Sequence, residues 1–312
     1  MLRLQGTGRI QEIAGKNADG SVEIIRDITC PRKHMIDSAG WSKIRRAKKI
    51  FAFVSSPKIY KQNEMLEKVQ AWCHPFRRPD RHLPTETPSL LLPESDFLDS
   101  TIVTCRAPKK LKYDYFYFTI NSKVGIDHKG LCTFIDILPE LCRKKMKGLI
   151  VVYYPNAGRI KRFTVQLSKD RRHKLRLYDK FLTYHWGLLR DHQMDGYMSQ
   201  CRFGLFPNVV DNSPRIISEC LSRDIPILVN NKIHGGWHYV NNQTGDLFTK
   251  ANIGQKLEFM LSNTFNAREK YESEYGFDKS ARKLAKFLNP LFGYNYTHIY
   301  FSAFCKRLKK AQ

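Results

Sequence analysis

The run Gly148-Leu-Ile-Val-Val-Tyr-Tyr154 carries no charge and consists largely of β-branched and aromatic residues. A strand of that composition is covered on both faces, which is the situation of a parallel sheet packed between helices. Further short apolar runs follow the same rule at 113–119, 203–206 and 225–229, and helical segments separate them at 130–145, 191–199 and 214–222. In the first helical segment Leu131, Phe134, Ile135, Leu138 and Leu141 recur at helical spacing. Strand, helix and strand in regular succession predict right-handed crossovers and a doubly wound α/β domain over residues 110–260. Residues 174–178 are a weaker strand candidate within it, and residues 253–308 read as mostly helical, with stops at Asn289-Pro290 and Gly293.

The chain before residue 110 has a different character. Residues 21–28 and 49–55 read as strands and 61–72 as an amphipathic helix. From His74 to Pro93 prolines recur every few residues, which excludes regular helix and central strand and marks a connector. The expected organisation is a small domain at 1–109 ending in this connector, a Rossmann-like domain at 110–290, and a basic helix at 291–312.

A length of 312 residues accommodates two domains, and 42% hydrophobic residues suffice for real cores. No apolar run reaches the roughly 18 residues needed to cross a bilayer, and the opening segment has no apolar stretch of signal-peptide length. The expectation is a soluble cytoplasmic protein. Eight scattered cysteines without a C-x-x-C pair read as reduced core thiols and not as a zinc site. The net charge of +24 is spread over several runs, including 43–49, 143–147, 169–174 and 306–310. Such a field attracts polyanions, phosphorylated ligands or an anionic membrane face, while any single run is more often the solvated face of a helix.

Chemistry concentrates between Phe203 and Val229. A strand ends at Phe206-Pro207, a polar loop follows, and a helix is expected with Ser213 as its N-cap and Pro214 at its first position. In an open α/β sheet that loop lies at the carboxyl edge of the strands, where ligands bind. There the amides of Arg215, Ile216 and Ile217 would face a phosphate, with the Arg215 charge beside them. Asp211 and Glu219 frame the loop with seven residues between them. Taken singly, an Asp before a helix is a cap and a mid-helix Glu is solvated.

Taken together, Phe206-Pro207, Asp211, Pro214, Glu219-Cys-Leu, Asp224-Ile-Pro-Ile-Leu-Val229, His234-Gly235-Gly236 and Thr244-Gly245-Asp-Leu-Phe248 resemble the carboxyl-terminal domain of retaining GT-B glycosyltransferases, group 1 or family 4. The resemblance implies an α/β fold of two Rossmann-like domains with parallel sheets, the first one here abbreviated. It implies that Glu219 holds the ribose hydroxyls of a nucleotide-sugar, and that Asp211 stands near the donor sugar where the family has a Glu. Lys129-Gly130 matches the family's Lys-Gly at the donor diphosphate, with Lys123 at the position of an upstream Arg. Gly235 and Gly236 would let backbone approach the donor, with Pro214, Arg215 and Ile216 beside it. The family often has a Glu soon after the paired glycines; none stands between Gly236 and Gly245. The resemblance further implies that no metal and no cofactor is needed, and that the last helix crosses back to the first domain.

The leading reading is a nucleotide-sugar-dependent glycosyltransferase, with Asp211 and Glu219 as the acidic pair and a glycan or other, anionic, acceptor. Its basic surface also fits peripheral association with an anionic membrane. Two other classes stay open: a basic nucleic-acid-binding protein, whose binding would depend steeply on salt, and a glycosyltransferase-like binding protein without turnover.

Overall fold

A computed structural model describes residues 11–29, 49–54, 69–100, 111–120, 129–153, 167–187, 191–211 and 214–301. In chain order these carry strands β1 (Gln11–Lys16), β2 (Val22–Thr29), β3 (Ile50–Phe53), β4 (Ala71–His74), β5 (Ser89–Leu91) and β6 (Tyr113–Ile120), then helix α1 (Leu131–Arg143) and β7 (Gly148–Tyr153). Next come α2 (Lys169–Tyr178), β8 (Leu182–Trp186), α3 (Asp191–Met198), β9 (Cys201–Phe206), α4 (Arg215–Leu221), β10 (Ile227–Asn230) and β11 (Gly245–Phe248). The chain continues through α5 (Ile253–Ser262), α6 (Ala267–Glu274), α7 (Phe277–Phe292) and β12 (His298–Phe301). Contacts divide the chain into two units, one up to Leu98 together with Tyr275 onward, the other Asp99–Glu274.

The second unit is the doubly wound domain expected from the sequence. Its six strands run in the order β11-β10-β9-β6-β7-β8, all parallel. From the central β6 the chain winds outward through β7 to β8, then returns to the other side of β6 and winds outward through β9, β10 and β11. The winding direction therefore reverses between β6 and β9. The core joins Tyr115 and Tyr117 of β6 to Phe134, Leu138 and Leu141 of α1 and to Phe203 and Leu205 of β9. The expected strand at 174–178 is instead the second half of α2. The Ser168 side chain accepts from the Arg171 amide and so caps that helix, and of its residues only Leu175 is buried. The alternation Lys-Leu-Arg-Leu imitates a strand there, and the actual edge strand β8 follows it.

The first unit has a six-stranded sheet in the order β12-β1-β2-β3-β4-β5. It is mixed, not all parallel as expected: β1 runs antiparallel to β2 and to β12, while β2 to β5 are parallel. The reason is local. Residues 17–21 form a tight turn in which Gly20 has φ +88° and the Ser21 amide donates to Asp19 Oδ1 at 2.8 Å, and a short turn joins only antiparallel neighbours. Ala71 and Trp72, expected at the end of a helix, open β4. The proline-rich stretch contains the three-residue edge strand β5 and the buried Leu92, and the buried Phe97 follows it, so it belongs to this unit's core.

Residues 277–292, all but the last two read from sequence as part of the second domain, pack Ala281, Leu284, Ala285 and Leu288 against Phe51, Cys73 and Leu92. The helix expected after Tyr294 is replaced at 298–301 by β12, which pairs with β1. Gly293, at φ +67°, ends α7, and Ile299 and Tyr300 are buried in the strand that follows. Cys73, Cys201 and Cys220 are free and buried, and burial pushes their thiols up. Among the described residues no helix is long and apolar enough to cross a membrane.

Candidate functional site

The site expected from sequence assembles at the reversal point of the second sheet, just beyond the carboxyl ends of β6, β9 and β10, where an open α/β sheet leaves a crevice. Gly130 stands at the N-cap of α1 with φ +67°. A Cβ there would lie 2.4 Å from the Pro207 carbonyl oxygen and 2.8 Å from the Asn208 nitrogen, so only glycine lets the start of α1 rest on the loop after β9. The preceding Lys129 is fixed through its carbonyl, which accepts from the Tyr117 hydroxyl at 2.9 Å.

From that position Lys129 Nζ donates to Asp211 Oδ2 at 2.5 Å, and Asn208 Nδ2 donates to the same oxygen at 3.1 Å. The two charged side chains are only 16% and 12% exposed. In such a setting charges interact more strongly than on an open surface, and neither is cheaply left alone. The loop after β10 closes over the same backbone. The His234 amide donates to the Val209 carbonyl and the Gly235 amide to the Asp211 carbonyl, each at 3.0 Å. Asn230 Nδ2 donates to the Pro207 carbonyl at 3.2 Å, while its Oδ1 accepts from the Lys232 amide at 3.0 Å.

Gly236 has φ +79°, and a Cβ there would meet Pro214 Cγ at 2.7 Å and Ile217 Cδ1 at 2.9 Å. The Gly-Gly pair therefore brings this loop onto the start of α4. The helix begins one residue later than the sequence suggests: Pro214 is its N-cap residue and makes no side-chain cap hydrogen bond. Ser213 lies outside the described residues, as does Lys123. Of the amides expected to face a phosphate, that of Ile217 donates to the Pro214 carbonyl at 2.9 Å. The Ile216 side chain is buried.

Glu219 sits one turn into α4, where its Oε1 lies 3.2 Å from Arg215 Nε, with the Glu side chain 13% exposed and the Arg side chain 36%. Arg223 holds the other end of the helix, donating from Nη1 to the Glu219 carbonyl at 2.7 Å and from Nε to Asp195 Oδ1 at 2.6 Å. The Thr-Gly close of the motif is architectural. Thr244 Oγ1 donates to the Tyr239 carbonyl at 2.6 Å, and a Cβ on Gly245 would lie 1.8 Å from the Ile227 carbonyl oxygen, so this turn sets β11 against β10.

The residues expected at the site thus fall into two groups. Lys129, Asp211 and Gly235 share one hydrogen-bonded cluster with Gly130 packed against its loop, and Arg215, Glu219 and Gly236 belong to or contact α4. Sequence reasoning missed Asn208, Asn230 and Tyr117, whose side chains orient that cluster. A Pro-Asn pair directly after a strand was the available signal for Asn208. Among the described residues no group of three His, Cys, Asp or Glu side chains is placed to hold a metal ion.

No family profile and no curated protein sequence matches the chain. Solved structures do. HepE from Anabaena, in complex with UDP and glucose, superposes with a TM-score of 0.59 at 12% identity, covering 81% of this chain and 74% of that one. Sucrose-phosphate synthase from Thermosynechococcus elongatus gives 0.58 at 12% identity, covering 81% and 71%. A glycosyltransferase from Rickettsia africae gives 0.56 at 13% identity, covering 82% and 75%. At these identities the likeness concerns the fold, and the fold is that of GT-B glycosyltransferases.

Proposed function

We propose that the chain is a glycosyltransferase that takes a sugar from a nucleotide-sugar bound at the carboxyl edge of its second sheet and passes it to a glycan or other acceptor, with retention of configuration and without a metal ion. The observation that carries this reading is the Lys129–Asp211 pair at the reversal point of the sheet. It places a nearly dry cation beside a carboxylate in the crevice where such sheets bind ligands.

Departure of a nucleoside diphosphate develops negative charge on its phosphate oxygens, and a fixed cation stabilises that charge without reorganising. Lys129 would do so, exchanging part of its contact with Asp211 for the diphosphate. Asp211, positioned by Asn208, would then face the donor sugar. Glu219 would accept hydrogen bonds from the ribose hydroxyls, and the backbone at Gly235 and Gly236 would lie along the donor. The occupancy of the HepE structure by UDP and glucose supports a donor of this class.

The test is calorimetry and thermal shift of the purified protein against UDP-, GDP-, ADP-, CMP- and dTDP-linked sugars, with and without EDTA. One selective response insensitive to EDTA is expected. Silence toward every donor together with tight, salt-sensitive binding to nucleic acid overturns the proposal. A second reading draws on the same pair: Asp211 is already engaged by Lys129 and Asn208, the arrangement of a site that binds donor without turnover. Donor binding with no sugar transfer or donor hydrolysis would establish it.

A further inference from the structure

The opposite, amino edge of the second sheet has no part in the donor site. We propose that this edge is a docking surface for anionic lipid headgroups, on which the protein sits without inserting a helix.

Register brings the starts of four strands together there. Tyr113 of β6 pairs with Cys201 of β9, Tyr115 with Gly148 of β7, and Gly148 with Leu182 of β8. Lys112, Lys147 and Lys180 precede three of these strands directly or by one residue, and Lys145 lies in the turn before β7; all four are exposed. With neighbouring strands about 4.8 Å apart, the four strand starts span roughly 14 Å. Basic groups outnumber acidic ones at this edge, and several of the acidic ones are already paired: Glu140 with Arg143, Glu258 with Lys144 and Asp195 with Arg223. Asp114 is occupied by the Lys147 amide at 2.8 Å and by Arg202 Nε at 3.6 Å, and Asp179 is exposed beside Lys180. The edge is therefore a compact cationic face, complementary to a negative leaflet, near which each lysine strengthens binding about fivefold.

Charge alone does not separate a membrane from a nucleic acid; the apolar side chains do. Four large apolar residues are exposed among the described residues, and two of them, Leu111 at 42% and Leu177 at 56%, stand among these lysines. Leucines projecting between lysines suit the boundary between headgroups and acyl chains. Single-stranded nucleic acid is held by exposed aromatic faces, whereas Tyr178 and Phe181 at this edge are half-buried. Docking by the amino edge turns the carboxyl edge, about 20 Å away along a six-residue strand, toward the aqueous side. This inference is independent of the donor-site reading, because the two rest on opposite edges.

The experiment is sedimentation of the full chain with phosphatidylcholine vesicles, with and without about one third phosphatidylserine, scored beside a melting curve for every variant. Binding is expected only to the anionic vesicles. The triple variant Lys112→Gln, Lys147→Gln, Lys180→Gln should weaken it about a hundredfold with an unchanged melting temperature. Leu177→Ser should weaken it about tenfold or more in salt that screens the lysines. A folded triple variant that binds as well as the parent chain overturns the proposal, as does equal binding to neutral vesicles. Displacement from anionic vesicles by a single-stranded oligonucleotide, with no effect of Leu177→Ser, assigns the edge to nucleic acid and also overturns it.

Discussion

Lys129 Nζ lies 2.5 Å from Asp211 Oδ2, joining residues 82 positions apart at the point where the sheet reverses its winding. A pair this dry binds both charges in place, and removing one leaves the other poorly solvated. Lys129→Met is therefore expected to lower stability by about 1–3 kcal/mol and to weaken donor binding by about 10- to 100-fold. Asp211→Ala should lower turnover more than donor affinity. Calorimetric affinities set beside single-turnover rates check both, and equal losses of binding and turnover for Asp211→Ala would remove it from the reacting end of the donor.

Glu219 pairs with Arg215 on the same helix, and the Arg is about one-third exposed. Ion pairs one helical turn apart on the same helix contribute about 0.2–0.5 kcal/mol. Glu219→Ala should accordingly leave the melting temperature within about 2 °C while abolishing nucleotide-sugar binding. A collapse of the melting temperature would return this residue to a structural role.

The two site glycines separate folding from binding. Gly130→Ala puts a Cβ against backbone atoms of the loop after β9 in a left-handed conformation, and should cost about 3 kcal/mol or more. Gly236→Ala meets only side-chain atoms of Pro214 and Ile217, which can shift. It should cost about 1–2 kcal/mol and weaken donor binding more than it lowers the melting temperature. Urea unfolding and calorimetry on both variants test the contrast.

Asp136 of α1 accepts from Lys250 and faces Arg171 of α2 at 3.5 Å. Burial raises its carboxyl, yet the hydrogen bonds and charges of Lys250 and Arg171 outweigh that and hold it below its ordinary value of 3.8. A carboxylate with a folded-state value below its unfolded one contributes stability that is complete above the unfolded value and is lost as pH falls through the folded one. Melting temperature should therefore fall on acidification below about pH 4, and Asp136→Asn should flatten that limb while lowering stability at neutral pH. An acid limb of unchanged steepness in the variant would refute the assignment.

Much of the second unit was legible in consecutive residues. β6, β7, β9 and β10, the helix α1 and the glycine-marked turns follow from apolar runs and spacing. The misreadings share a cause. Lys-Leu-Arg-Leu in α2 alternates like a strand, Ala71-Trp72 continues the apolar pattern of the preceding segment, and Ile299-Tyr300 follows a long helical run. In each, local pattern admits two structures, and the neighbours available for packing chose one: the Ser168 cap, the β3 partner and the β1 partner respectively.

The sequence by itself determined the doubly wound domain, the acidic pair with seven residues between its members and the glycines that only a close approach or a positive φ requires, because these are properties of contiguous residues. Tertiary structure alone decided that Lys129 meets Asp211, that Asn208 and Asn230 hold the loop carrying it, and that α7 packs with the first unit. Those relations depend on strand order and on which chain ends come together, and strand order is settled by the packing of whole faces, which no short stretch of residues encodes.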